Sequence, residues 1–361
     1  MRRSLSLILF LLLALWPASW MAPVSRFREI PRASDGRLYA QTAPFYEGKT
    51  VRIILGAGGG YDFWARLLAR TIPKYIPGNP NMIVQSMPGA GSVIATNYLY
   101  NVAKPDGLSV GMPNQRVYLG EFVGSKEVQF EIRKFHWIGS PDRNPSILYI
   151  RADTPFKSIE DVRKAKVPPK CGDTGWESGS VVLALQELLG AKFEVVVGYQ
   201  EANAVDLAVV RGEVVCRFLG LTAHFSREPF LTWHAKGFDR HLLQSGQKRD
   251  GRAPDVPTLF ELMDQYKAPE TSRRAVQVLT AGEEFGHPMM APPGTPADRV
   301  KILREAYAKA LRDPELLAQA QKGRWVVEPV AGEELQAVAE RVMNQPSQVV
   351  EQVKRIMKVN Q

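Results

Sequence analysis

A short apolar run that breaks into glycines and resumes as a helix constrains this chain more than any other feature. It is Val51–Arg70, VRIILGAGGGYDFWARLLAR. Val51, Ile53, Ile54 and Leu55 have the profile of a strand buried on both faces. Gly56, Gly58, Gly59 and Gly60 follow at once, so the chain turns tightly and its amides are not shielded by side chains. Asp62 stands where an N-cap is expected, ahead of a helical stripe of Phe63, Leu67, Leu68 and Thr71. Such a strand, bare loop and helix start present N–H groups and the positive end of a helix dipole to a small anion. The glycines do not spell GxGxxG, and no Lys-Ser or Lys-Thr pair completes a phosphate-binding P-loop. The plain alternative is a glycine turn that serves only strand-to-helix geometry.

A second loop, Ser86–Ser92 (SMPGAGS), sits between the run Met82-Ile83-Val84 and a helical pattern of Ile94, Ala95, Tyr98 and Leu99. In an open α/β sheet, two glycine loops at strand C-termini face one crevice, where ligands bind. This pairing favours an anion cradle. Asn114, just past a strand at Leu108–Met112, is a third candidate for the rim and equally an Asx-turn residue.

Strand and helix continue to alternate, which predicts βαβ units and parallel sheets. Pro141–Pro145 reads as a crossover into a second domain, and Ser158 with Asp161 forms a capping box. Cys171–Ser180 (CGDTGWESGS) is another glycine-bearing loop, opening a helix marked by Val181, Leu185, Leu188 and Leu189. His224, Trp233, His234 and His241 are scattered without metal-ligand spacing, so no metal site is assigned. Glu283-Glu284 reads as a solvated loop. With no GxSxG and no HExxH, the chain offers binding loops without a catalytic set, and no catalytic residue or cofactor is assigned.

At 361 residues the chain exceeds one ordinary core, so two domains are expected. Its 45% hydrophobic and 23% charged content is that of a globular protein. Arg2-Arg3 before the apolar run Leu5–Trp16, closed by Pro17, has the form of an export signal and is short for a membrane span. A periplasmic or other extracytoplasmic location is expected, with a retained membrane tether left open. The net charge of +9 falls to about +5 once the arginine-rich first 40 residues are set aside, which suits an anionic solute. No Lys/Arg run interleaves with aromatics, so nucleic acid is not expected. Cys171 and Cys216 lie at predicted strand ends, compatible with a disulfide or with two separate buried thiols.

The phrases YEGKTVRIILGAGGGYDFWARLLAR, PGAGSVIATNYLYNVAKPDG and APPGTPADRVKILREAYAKALRDPELL resemble the tripartite tricarboxylate transporter receptor family of extracytoplasmic solute-binding proteins. The resemblance runs from about Phe45 to the C-terminus. It implies a two-lobed, periplasmic-binding-protein-like (type II) α/β fold, each lobe a mostly parallel sheet flanked by helices, with a cleft between. The corresponding plan is a signal or anchor and spacer at 1–41, one lobe from 45–143 plus 275–345, a second at 144–274, and a C-terminal helix at 346–361 packing on the lobes.

Carried over by motif, the first-lobe ligand contacts are Gly58, Gly59, Gly60, Gly89, Ala90 and Gly91. Those of the second lobe are Asp173, Thr174, Gly175, Ser178 and Gly179, with Tyr199 closing the cleft. The implied partners are a small organic carboxylate and integral-membrane permease subunits, with the receptor a monomer. The chain departs from the family where Ala57-Gly58 replaces the usual Pro-Gly and where Val214-Val215 removes a strand carboxylate. Arg217 loses that partner, leaving it to pair elsewhere or to reach a second ligand carboxylate. Trp64 and Trp176 follow the two facing loops, and either core packing or a ligand wall fits them. A sensor subunit for a membrane kinase, or an α/β enzyme holding a phosphorylated cofactor, are the alternatives. The missing P-loop lysine and acidic ribose ligand weigh against the enzyme.

Overall fold

A computed structural model describes Pro44–Met357 apart from Gly175, Gln200 and Glu201, and leaves out the side chains of Trp176, Glu177, Ser178 and Ala202. The expected export segment and Gly175 therefore lie outside the described residues. The apolar run forms strand β1 (Thr50–Leu55), with Val51, Ile53, Ile54 and Leu55 all buried. It is flanked by β2 (Asn81–Ser86) and β3 (Ser109–Met112), both parallel to it. β4 (His136–Ser140) then leads through Pro141–Pro145 into β5 (Ser146–Arg151), the first strand of a second sheet. That sheet continues with β6 (Lys170–Gly172), β7 (Glu194–Val196), β8 (Cys216–Gly220) and β9 (Asp239–Gln244). β10 (Met289–Ala291) and β11 (Val330–Ala331) rejoin the first. The spatial orders are β11-β4-β10-β3-β1-β2 and β7-β6-β8-β5-β9.

Both sheets are mixed rather than mostly parallel, and chain direction explains it. β1, β2 and β3, like β6, β7 and β8, follow segments of their own sheet and run toward the junction between the sheets. β5 and β10 arrive from the other sheet and start at that junction. β5 is accordingly antiparallel to β8, and β10 to β3. A crossover within one sheet preserves strand direction, and a crossing between sheets reverses it.

Helix Gly60–Thr71 follows the first glycine loop as expected, but Gly59 rather than Asp62 takes the N-cap position. The unshielded glycine with φ +68° lets the helix begin early and leaves Asp62 in the first turn. There it pairs with Arg66 at 2.8 Å. Trp64 is fully buried against Trp325 and Phe63, so it belongs to the core and not to a ligand wall. The capping box at Ser158 and Asp161 is present, and Thr258 with Glu261 forms another. Helix Ser347–Ile356 packs on helices Glu270–Thr280 and Trp176–Leu189, and Gln352 donates to Ser272 at 3.0 Å. One apolar core runs through both sheets, from Ile54 and Trp137 in the first to Leu148, Cys171 and Phe218 in the second. Among the described residues, no helix is long and apolar enough to cross a membrane.

Candidate functional site

The two first-sheet glycine loops extend their strands before turning away. Gly56 N–H donates to Met112 O at 3.1 Å, and Met87 N–H to Leu55 O at 2.8 Å, which fixes each loop over the C-terminal end of its neighbour. Gly58 and Gly59 are exposed, and a Cβ added at either would meet nothing within 4 Å. Gly60 differs: its added Cβ would lie 2.7 Å from His287 Nε2 and 2.8 Å from Trp325. The backbone there is pressed against a side-chain wall, so Gly60 seats the helix start.

The second loop is built from left-handed backbone. Gly89, Ala90, Gly91 and Ser92 have φ of +135°, +45°, +60° and +82° in succession. For Ala90 and Ser92 this costs roughly 1–2 kcal/mol each. Ser92 is buried, and its Oγ accepts the Asn114 N–H at 2.9 Å. Its N–H donates to Gly89 O at 3.0 Å. The left-handed Ser92 passes directly into right-handed Val93 at the start of helix Val93–Asn101. Successive amides in such a left-to-right pair converge on a concavity suited to anions. Ala90 and Gly91 are exposed, with open space around Gly91. Asn114 Oδ1 accepts the Arg116 N–H at 2.8 Å, the Asx turn allowed for in the sequence.

In the second sheet, Asp173 N–H extends β6 by donating to Val196 O at 2.9 Å, and its Oδ1 accepts the Thr174 N–H at 2.7 Å. Asp173 is buried and Thr174 exposed. Gly179 lies against Val195, where an added Cβ would sit at 3.0 Å. Tyr199 packs by Gly172 at the end of β6. The Ser178 side chain is outside the described residues. Arg217 is held in a buried ion pair with Asp206, whose second oxygen takes Arg227 at 3.0 Å. The partner absent from its own strand is supplied by helix Ala202–Arg211. Cys171 and Cys216, facing each other in register on β6 and β8, are joined by a disulfide.

The ends of both sheets meet at the crossing. Asn144, between β4 and β5, donates to Gln115 Oε1 at 3.2 Å, and its side chain lies against Gly220 at the end of β8. Arg116, just past β3, reaches Ser146 at 3.5 Å and Glu283 at 3.7 Å. Ser245, just past β9, donates to Glu283. The C-terminal ends of β3, β8 and β9 thus adjoin one junction. Glu283 is buried, not solvated as its sequence context suggested, because the short helix Gly282–Phe285 turns it into this junction. Burial pushes its carboxyl up to about 7, with Arg116 and the Ser245 and Ser146 hydroxyls opposing.

Two further groups were not legible in the sequence. His287 and Asp142 form a buried pair, Nδ1 to carboxylate at 2.8 and 3.0 Å, and His287 N–H donates to Ser140 Oγ. The pair stands behind the first loop, with Tyr61 edge-on to the imidazole. Its members are far apart in sequence, and only the return of the chain as β10 joins them. The second group is in the other sheet: His224, His234 and His241, whose spacing had read as scattered, converge around Asp239.

Two mixed sheets joined at a common junction, with open main-chain loops at their ends, define the two-lobed periplasmic-binding-protein-like class. The chain belongs to the tripartite tricarboxylate transporter receptor family, whose model matches residues 65–358. A curated relative from Cupriavidus necator, named only as a UPF0065 protein in the gbd 5' region, is 27% identical over 284 residues, covering 74% of this chain and 76% of its own. A TctC solute-binding protein from Polaromonas, crystallised without ligand, has a similar fold. Its TM-score is 0.62 at 21% identity, covering 87% of this chain and 99% of that one. MatC from Rhodopseudomonas palustris, solved with bound malate, superposes with a TM-score of 0.61 at 18% identity, over 86% and 99% of the two chains.

Proposed function

We propose that this chain is an exported, non-enzymatic receptor that captures a small organic dicarboxylate between its lobes and delivers it to the membrane permease of a tripartite transporter. The observation that carries this reading is the pair of open loops. Gly58–Gly59 and Ala90–Gly91 leave their main chain exposed at two helix N-termini that sit over neighbouring parallel strands. Carboxylates accept several N–H bonds there without a buried cation, and closure of a second lobe strengthens those bonds by removing water. Asp173, Thr174, Gly179 and Tyr199 are the second-lobe contacts in this reading, with Gly175 and Ser178 completing their loop. Asn114 shapes the rim through its turn. Arg217, committed to Asp206, sets the charge behind the second-lobe loop and is not the primary anchor.

The malate bound by MatC supports a short dicarboxylate, and the positive balance of the chain suits such an anion. The Arg2-Arg3 and Leu5–Trp16 pattern supports export. A thermal-shift panel of mono-, di- and tricarboxylates, with nucleotides as controls, tests the reading. A rise in Tm confined to carboxylates is expected, and a response confined to nucleotides would overturn it.

A further inference from the structure

We propose that the second lobe carries a site for a divalent transition-metal ion, with zinc as the best-fitting occupant, built from His224, Asp239 and His241 and completed by His234. The site involves none of the solute loops and does not depend on the solute-receptor reading. Asp239 and His241 lie two residues apart on β9, so their side chains leave the same face of the strand. Helices Leu221–Ser226 and Phe230–Lys236 bring His224 and His234 against that face.

The interatomic distances describe a coordination shell. His224 Nε2 is 2.8 Å from His241 Nε2, and Asp239 Oδ2 lies 3.2 Å from the first and 3.4 Å from the second. Zinc–nitrogen bonds of about 2.0–2.1 Å at tetrahedral angles separate neighbouring ligand atoms by about 3.3 Å. Each member of this triangle can offer a lone pair, and a cation at its centre satisfies all three at once. His234 fits the same scheme. Its Nε2 lies 3.1 Å from His224 O and its Nδ1 3.1 Å from Asp239 Oδ1, so with Nε2–H donating to the carbonyl, Nδ1 is the nitrogen that would give its lone pair to a bound ion. A ring N–H held by a backbone carbonyl is the usual outer-shell arrangement of a metal-bound histidine.

Independent support comes from the polar atoms left over. Asp239 is 1% exposed at its side chain, yet its Oδ2 makes no hydrogen bond despite the two imidazole nitrogens beside it. A carboxylate oxygen in that position is costly unless a cation takes its lone pair. The surroundings are dry, with Tyr149 stacked on His224 at 5.0 Å and Phe225 on His234 at 5.1 Å. His234 and His241 keep 22% and 20% side-chain exposure, which gives an ion a route in. Bound there, the ion would tie two short helices to the edge strand of the second sheet.

The experiment uses the full chain without a histidine tag, stripped with EDTA and titrated with zinc chloride by calorimetry. One ion per chain is expected, with a rise in Tm on the order of several degrees at saturating zinc. Cobalt(II) should give the strong visible absorbance of a tetrahedral site. His241→Gln and Asp239→Asn should each weaken binding at least ~10-fold, while His136→Gln, at a histidine on β4 of the first sheet, should leave it unchanged. Because His241 is partly exposed, its replacement is the variant least able to disturb folding, and the cobalt spectrum of the unaltered protein reads the site without any substitution. Absence of saturable uptake, or stoichiometric binding that survives both His241→Gln and Asp239→Asn, would overturn the assignment.

Discussion

Ser92 Oγ accepts the Asn114 N–H at 2.9 Å from a residue held at φ +82°, so one hydroxyl joins the second and third loops of the first lobe. It also presses on the first loop, where a Cβ at Gly56 would lie 2.6 Å from the same oxygen. Ser92→Ala loses the hydrogen bond and keeps the left-handed strain, and should destabilise the protein by about 1–2 kcal/mol. Ser92→Gly loses the bond but relieves the strain, so its cost should be smaller. Urea unfolding of the two variants checks the order, and equal stabilities would show that the strain is not real.

Gly58 and Gly59 separate binding from folding. A Cβ at Gly58 enters open space without a positive-φ penalty, so Gly58→Val should keep its Tm and lose at least ~10-fold in carboxylate affinity, about 1.4 kcal/mol. Gly59→Val meets open space too but sits at φ +68°, so it should lose both affinity and stability. Calorimetry with the best dicarboxylate from the panel reads the first effect and thermal unfolding the second. Undiminished affinity in Gly58→Val removes the first loop from the site.

Glu283 should make stability depend on pH in the direction opposite to an ordinary carboxylate. Its folded value of about 7 lies above the unfolded value of 4.5, so the folded protein holds a proton that the unfolded chain releases. The stabilisation is complete below pH 4.5 and is lost as pH rises through 7, on the order of 3 kcal/mol at most. Glu283→Gln should flatten the stability profile between those values. Unfolding midpoints from pH 5 to pH 8 for both proteins test this, and parallel profiles would place the titration elsewhere.

Joining Cys171 to Cys216 closes a loop with a sequence separation of 45. Chain-entropy arithmetic gives roughly 4 kcal/mol for a loop of that size. Reductant should therefore lower the Tm, and the Cys171→Ala/Cys216→Ala double variant should match the reduced protein. Thiol labelling of the denatured, unreduced chain should find none free.

How much of this was readable beforehand depends on whether the cause was local. β1, its glycine turn and the following helix were legible because buried strands and bare turns leave their mark within twenty residues. So was the capping box at Ser158 and Asp161, a short-range hydrogen-bond pattern. Asp62 was misplaced by a few residues because glycine conformation, not capping chemistry, decided where the helix began. The mixed sheets, the burial of Glu283 and the His287–Asp142 pair were hidden, since each arises where the chain returns from the other sheet. The four-residue cluster around Asp239 was hidden differently. Asp239-x-His241 on a strand was a visible hint, but two short helices had to be placed before the other imidazoles could join it.

The apolar core that passes without interruption from Ile54 to Phe218 has a mechanical meaning. Each half keeps an apolar cluster of its own, around Trp64 and Leu68 in the first and around Tyr149 and Trp233 in the second, but the shared core ties the two. Heating should therefore melt them together in a single calorimetric peak, and a protease should not release one half as a surviving fragment. Any motion that brings the halves together over a solute must then bend around that shared interior instead of sliding across it.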